Sequence, residues 1–198
     1  VMYLRYDEPA DVFVSDSSPN RNNVTLAGTA NFQVTPSAIA GDPSRALTTT
    51  GTSTFMVGDT KFGSMSSYTL ETWFKTTSTV GGKLIGYGNR QTLASTAYDK
   101  HVYMTNDGRL VFGVYTGTTQ VLVSTKSYND GAWHQVAASQ GSGGMALYVD
   151  GQKVASNTVT ANQSFVGYWH VGGDGMSNTW PLRPTSSYFA GSRNSFSP

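Results

Sequence analysis

The feature that most constrains the fold of this chain is an alternation of apolar and polar residues, broken by Asp-Gly pairs. Every second residue is apolar in 109–115 and again in 145–149, and Asp150-Gly151 follows the second run directly. Successive side chains of a strand point to opposite faces, so this period of two predicts half-buried strands. An Asp-Gly pair between two such runs is typical of a two-residue hairpin turn.

Turn signals recur along the chain, and no long segment has the period of an amphipathic helix. Short strands joined by Gly-rich turns favour an all-β sandwich or barrel. Without a linker or repeat, residues 1–198 are expected to form a single domain. Strands are predicted near 53–57, 68–75, 83–87, 101–105, 121–125, 134–139 and 168–171. The predicted core comprises Leu70, Phe74, Leu110, Phe112, Trp133, Leu147 and Val149.

Charge and cysteine content exclude several classes of function. The net charge is +1 and 13% of residues are charged, which argues against a nucleic-acid partner or an anionic membrane surface. No apolar run approaches the roughly 18 residues of a membrane helix, so no membrane insertion is expected. The chain has no cysteine. This composition favours a secreted or cell-surface location, within a larger exported bacterial protein.

Several ordered motifs resemble those of the laminin-G-like, concanavalin A-like jelly-roll domains of bacteria. The matching segments are Asp16–Asn20, Tyr68–Lys75, Asp130–Val136, Leu147–Gly151, Val171–Asp174 and Tyr188–Ser192. The resemblance implies two packed antiparallel sheets in jelly-roll order. The same fold carries lectins, glycan-binding modules, adhesion domains and glycosidases, so function has to be argued from a site.

Catalytic constellations are not visible in the sequence. A glycosidase needs two facing carboxylates, and the only glutamates are Glu8 and Glu71, far apart and without acids at alternate positions. None of the three histidines lies near a Gly-x-Ser-x-Gly elbow. We therefore expect a non-catalytic domain.

Sugar binding would use aromatic faces together with amide, guanidinium and carboxylate groups. The segment 167–191 is rich in such groups, and 98–100 is expected to lie in a second polar loop. The candidate ligand-binding residues are Tyr98, Trp169, Asp174, Asn178, Trp180 and Arg183. The alternative is that Trp180 and its neighbouring prolines only pin a long loop onto the sandwich.

Calcium is the one cofactor that the sequence suggests, because it prefers oxygen ligands in loops. The resemblance implies a rim site, and the candidate ligands are Asp16, Asn20 and Asp42. The alternative is that Asp16 and Asn20 cap turns.

The C-terminal segment departs from the family pattern. Residues 193–198 lack alternating apolar side chains and end in proline. The domain is therefore expected to lack its last strand. It would then either recruit a strand from a partner or a second copy, or keep a shortened, less stable sheet. The alternative is that 188–192 and the N-terminal residues already complete the sheet.

The leading interpretation is a non-catalytic module that binds carbohydrate or another surface ligand, with a glycan or a cell-surface protein as partner. The first alternative is a purely structural, adhesion or strand-complemented interaction domain. A glycoside hydrolase is the third hypothesis, and the missing carboxylate pair argues against it.

Overall fold

The computed structural model describes residues 2–9 and 13–197, with the backbone alone at 196 and 197. The described part contains strands and no helix, so no helix in it is suited to crossing a membrane. The strands are β1 Phe13–Val14, β2 Val24–Ala27, β3 Asn31–Val34, β4 Ala46–Thr50, β5 Phe55–Gly58, β6 Tyr68–Lys75, β7 Gly82–Gly88, β8 Tyr98–Met104, β9 Arg109–Tyr115, β10 Thr119–Ser127, β11 Trp133–Gly141, β12 Gly144–Val149, β13 Gln152–Asn157, β14 Tyr168–Val171 and β15 Ala190–Ser197.

The strands form two antiparallel sheets, which confirms the predicted β-sandwich. One sheet has eight strands in the order β1-β2-β5-β14-β7-β8-β9-β10. The other has seven, in the order β13-β12-β11-β6-β15-β4-β3. The non-sequential order brings the N-terminal strand β4 beside the C-terminal strand β15, so both ends of the chain contribute to the same sheet.

The core lies between the sheets and follows the predicted alternation. Leu70 and Phe74 of β6, Phe112 of β9 and Leu147 of β12 are fully buried in one apolar cluster. Leu110 and Val149 are buried in the same cluster, as predicted. The alternation in the sequence therefore matches the alternation between the buried and the solvent-facing side of each sheet.

Trp133 was wrongly predicted as a core residue. In β11 the inward positions are those of Val136 and Ala138, both fully buried. Trp133 has the opposite parity, pairs with Lys75, and lies half-buried on the outer side of the seven-stranded sheet. The neighbouring His134 takes the inward position, with its ring 5.8 Å from that of Phe74. A one-residue difference in register exchanges the two faces of a strand.

The prediction that the last strand is missing was also wrong. β15 pairs with β6 on one side and β4 on the other, with a register shift at Ser195. Two buried polar residues of β15 donate hydrogen bonds within the sheet: Arg193 Nη2 donates to Thr49 Oγ1 at 3.0 Å, and Asn194 Nδ2 donates to Arg45 O at 2.7 Å. Arg193 Nε and Nη1 and Asn194 Oδ1 find no partner among the described residues. The place expected for a donated strand is filled by the chain itself.

Candidate functional site

Residues 172–188, here called the covering loop, lie over the outer face of the eight-stranded sheet. Two of its residues, Met176 and Trp180, pack with Tyr103 and Val111 in a second apolar cluster. The Trp180 ring meets the His101 ring edge-on, with centroids 4.1 Å apart. The loop is thus fixed to the sheet by apolar contact and not merely by its ends.

A pocket of about 230 Å³ opens beside Trp180. Tyr98 begins β8 and Tyr115 ends β9, so this antiparallel pair brings both rings to the same end of the sheet. The covering loop supplies Trp180, Ser177 and Thr179. The lining residues are Thr96, Ala97, Tyr98, Tyr115, Gln163, Ser177, Thr179 and Trp180. We call this the aromatic pocket.

The aromatic pocket unites two residues that the sequence suggested, Tyr98 and Trp180, with two that it did not. Tyr115 was assigned only to a strand, and its place at the strand end, where a side chain leaves the sheet, was the available signal. Gln163 lies in the segment between β13 and β14, and nothing in its sequence context indicates a site. Trp180 itself is only 4% exposed, so it offers an edge and not a ring face.

A buried carboxylate holds two walls of the pocket in place. Asp99 Oδ1 accepts a hydrogen bond from Tyr115 N at 2.7 Å, and Asp99 Oδ2 accepts one from Gln163 N at 2.7 Å. Lys100 Nζ donates to Asp99 Oδ2 at 3.2 Å and to Gln163 O at 2.8 Å. Because these charge-assisted bonds are buried, they fix the backbone on both sides of the pocket.

The ionisable groups behind the pocket do not present a free charge to it. Burial lowers the pKa of His101 well below 6.5, and the cations Lys83 and Lys100 lower it further, so this ring is neutral. Burial lowers the pKa of Lys100 while the nearby Asp99 opposes that change. Asp99 and Lys100 compensate each other, and none of the described side chains that line the pocket is charged.

The polar side chains that line the pocket differ in whether they already have a hydrogen-bond partner in the protein. Ser177 Oγ and Thr179 Oγ1 are 2.5 Å apart and hydrogen-bond to each other. Thr96 Oγ1 accepts a bond from Asn89 Nδ2 at 3.2 Å. The Gln163 side-chain amide has no hydrogen-bond partner within residues 2–9 and 13–197. Rings flanked by an available amide are suited to an organic ligand rich in hydroxyl groups.

Trp169 lies in the sandwich core and does not line the aromatic pocket; it borders a separate cavity of about 150 Å³ with Met65 and Tyr68. Its ring is 2% exposed and packs 5.1 Å from the ring of Tyr87. The alternation of β14 sends Trp169 and Val171 inward, while His170 points under the covering loop. Aromatic content alone did not distinguish a core tryptophan from a surface one.

Asp174 is also buried and does not line the aromatic pocket. Its Oδ1 accepts Ser95 N at 2.8 Å, and its Oδ2 lies 3.8 Å from Lys83 Nζ. Lys83 Nζ in turn donates to Gly175 O at 2.7 Å. Asp174 therefore anchors the covering loop to the sheet.

The remaining two candidates lie near the pocket without lining it. Asn178 is exposed and stands between the lining residues Ser177 and Thr179. Arg183 is half-buried, and its Nε donates to Met176 O at 3.0 Å. The guanidinium thus stabilises the covering loop from within.

The residues considered for calcium are held by protein hydrogen bonds. Asp16 accepts bonds from Tyr3 N, Ser18 N, Ser18 Oγ and Asn22 N at 2.7–2.8 Å, and these backbone bonds lower its pKa against the opposing effect of burial. Asp42 accepts Ser44 N at 2.8 Å and lies 3.7 Å from Arg5. Asn20 is exposed on the turn after Asp16. Across the described residues, no three His, Asp or Glu side chains are grouped to hold a metal ion.

Two larger grooves lie on the seven-stranded sheet. One, of about 600 Å³ beside Lys75, has no aromatic residue among the described residues that line it. The other, of about 720 Å³, is lined mainly by small hydroxyl residues, with Tyr148 and Tyr68. Tyr68 donates its hydroxyl to Gln140 at 3.0 Å and packs against the core ring of Phe112. Among the described residues that line them, neither groove brings three aromatic rings together, as the aromatic pocket does.

Glu71, the glutamate within a strand, lies outside the aromatic pocket. It faces outward from β6, and its Oε1 accepts a bond from Gln135 Nε2 at 2.6 Å. The histidines are also in packed positions: His134 contacts Asp130 and Asp150, at 3.1 and 2.8 Å.

Comparison with solved structures relates the sandwich to domains of low sequence identity, and such a likeness concerns the fold. Domain 4 of AbnA, an extracellular arabinanase from Geobacillus stearothermophilus solved with arabinotriose, matches at TM-score 0.65 and 15% identity, covering 98% of this chain and 89% of that one. A heptameric SAP-like pentraxin from Limulus polyphemus matches at 0.50 and 16%, covering 71% and 66%. Domains LG4-5 of the mouse laminin α1 chain match at 0.51 and 17%, covering 65% and 34%. This chain thus spans less than two thirds of the last two.

Sequence comparison identifies the family. Among curated proteins, no sequence matches this chain significantly. The family model Laminin_G_3, described as the concanavalin A-like lectin/glucanases superfamily, matches residues 48–192. That range contains β5 to β14, which include strands of both sheets, and every residue named above for the aromatic pocket. The chain therefore belongs to the laminin-G-like family of the concanavalin A-like lectin/glucanases superfamily.

Proposed function

We propose that this domain is a non-catalytic module that binds a glycan in the aromatic pocket. The observation that carries the proposal is a preformed pocket in which Tyr98, Tyr115 and the edge of Trp180 surround an available Gln163 amide. Sugar rings present apolar C–H faces between their hydroxyl groups, so flanking rings and an amide complement them. Its shape is maintained without ligand, because Asp99 fixes two of the walls.

We propose a non-catalytic role because Asp99, the carboxylate behind the pocket, is already fully engaged. Asp99 is fully buried, accepts two backbone N–H groups and is paired with Lys100. A general acid or base has to exchange a proton with the substrate, and a carboxylate engaged in this way is not placed to do so. The proposed role is therefore recognition alone, in a secreted or cell-surface protein.

The structural neighbours support a carbohydrate ligand. The arabinanase domain that aligns with nearly the whole of this chain was solved with arabinotriose bound. At 15% identity that likeness concerns the fold, so it suggests a first probe and not a residue-by-residue correspondence.

A glycan array followed by calorimetry tests the proposal. Tyr115 is 37% exposed, so replacing it with Ala removes a pocket ring with little effect on the core. We expect Tyr115→Ala to weaken binding of an array-selected glycan at least tenfold, or about 1.4 kcal/mol. The matched control is Tyr148→Ala, which removes an outward tyrosine from the opposite sheet and should leave the affinity unchanged. Equal affinities for wild type and Tyr115→Ala would locate the binding elsewhere and refute the assignment.

A further inference from the structure

Resting on the proposed function, we infer that the aromatic pocket accepts one neutral sugar unit and that Gln163 determines its specificity by hydrogen bonding to two adjacent hydroxyl groups. Size gives the first step. A volume of about 230 Å³ is below the roughly 300–1,000 Å³ of pockets for drug-sized ligands. One ring of a glycan fits such a space, and the rest of the chain stays outside.

The charges around the pocket favour a neutral sugar. The lining side chains are aromatic, hydroxyl, amide or methyl groups, with no cation among them. The buried cations nearby are already engaged: Lys100 with Asp99 and Gln163 O, and Lys83 with Gly175 O. The carboxylate of an acidic sugar would lose its water without gaining a counter-charge, which carries a large free-energy cost. A neutral sugar loses only hydroxyl hydration, which the pocket's polar groups replace.

The chemistry of an amide gives the third step. The main chain of Gln163 is fixed by Asp99 through its N–H and by Lys100 through its carbonyl, so the side chain leaves from a rigid point. The side-chain amide carries one acceptor oxygen and a donor NH₂ group on the same plane. Two neighbouring hydroxyl groups, one donating and one accepting, match this arrangement. Ser177 and Thr179 use one hydroxyl proton on each other, and the remaining hydroxyl groups of the lining can each rotate. Gln163 supplies the one lining amide among the described residues, with donor and acceptor fixed in a single plane.

Calorimetry with matched trisaccharides tests this inference. The probes are arabinotriose, xylotriose and maltotriose, which are neutral, and trigalacturonic acid, which is acidic. We expect at least one neutral probe to bind and the acidic probe to bind at least tenfold more weakly. Gln163→Ala should weaken the neutral probe tenfold or more, while Gln163→Glu, which removes the donor and adds a charge, should weaken it further. Gln152→Ala, an exposed amide on edge strand β13, is the matched control.

The outcomes separate this inference from the function on which it rests. Preferred binding of trigalacturonic acid that Tyr115→Ala abolishes would overturn the neutral-sugar inference and leave the glycan-binding function standing. Neutral binding that Tyr115→Ala abolishes but Gln163→Ala leaves unchanged would overturn the role of Gln163. Binding indifferent to Tyr115→Ala, or no binding of any glycan, would overturn both. The Gln163 variants should fold normally, because the bonds to Asp99 and Lys100 use only the main chain of Gln163. A thermal unfolding curve of each variant checks this.

Discussion

At the scale of single residues, the pocket depends on Gly113, whose lack of a side chain leaves room for Trp180. A Cβ atom added to Gly113 would lie 2.7 Å from Cζ3 of Trp180, closer than packed carbon atoms approach. Gly113 lies opposite His101 in the β8–β9 pair, so this glycine and the histidine ring together form the surface on which Trp180 rests. The φ angle of Gly113 is not positive, so the backbone conformation does not require glycine there. The indole of Trp180 does require it, because the ring occupies the space that a Cβ atom would fill.

We expect Gly113→Ala to displace Trp180 and disturb the aromatic pocket. Overpacking of this kind costs about 1–3 kcal/mol of stability. Tryptophan fluorescence should shift to longer wavelength as the indole becomes wetter, and glycan affinity should fall. Gly143→Ala is the matched control, since a Cβ at Gly143 would meet nothing within 4 Å. A Gly113→Ala variant with wild-type fluorescence, stability and affinity would show that the loop does not require this close approach.

At the scale of elements, strands with regular alternation could be predicted and strands without it could not. The predicted bounds of β6, β9 and β14 coincide with those observed, and the other predicted strands differ by one to three residues at an end. In β15 the pattern fails because Arg193 and Asn194 are polar yet buried. Tertiary pairing overrides local pattern there, since β6 and β4 each need a partner for their backbone groups.

A proline in β15 tests how much the sandwich depends on this strand. Ser192 pairs with Lys75 on one side and Thr48 on the other. Ser192→Pro removes the N–H group in the interior of the sheet, and we expect a loss of about 3 kcal/mol or more in unfolding free energy, or no folding at all. Ser192→Ala keeps the N–H group and loses only the 2.6 Å hydroxyl contact with Thr48, a cost of about 1 kcal/mol. Equal urea midpoints for the two variants would contradict a central role for β15.

At the scale of the whole molecule, the sandwich and most of its core follow from the sequence, and the site does so only in part. Alternation determines which side chains face the core, so six of seven predicted core residues are buried. The pocket forms where β8, β9, the segment around Gln163 and the covering loop converge, and no local pattern encodes that convergence. Tyr98 and Trp180 were recognised from their chemistry; Tyr115, Gln163 and the supporting Asp99 required the three-dimensional arrangement.

The covering loop also buries basic groups, and this should shape the dependence of stability on pH. Burial lowers the pKa of Lys83 from 10.5 to about 8, against the opposing effect of Asp174, and lowers that of His101 well below 6.5. In each case the unfolded chain binds a proton more readily than the folded one, so stability rises with pH between the folded and unfolded pKa values. For His101 that window lies below pH 6.5, and for Lys83 it lies between about 8 and 10.5.

We therefore expect the unfolding free energy to fall as the pH drops below 6.5 and to rise by about 2 kcal/mol between pH 8 and 9.5. The upper limit of 9.5 avoids pH values above 10, where tyrosines exposed by unfolding lose protons and favour the unfolded chain. Urea titrations at pH 5, 7, 8 and 9.5 measure both effects. Lys83→Met should reduce the alkaline rise and leave the acid fall intact, because the methionine has no proton to bind and His101 still does. Burial also lowers the pKa of Lys100, so a smaller rise should remain in this variant. An alkaline rise of undiminished size in Lys83→Met would show that Lys83 is not its source.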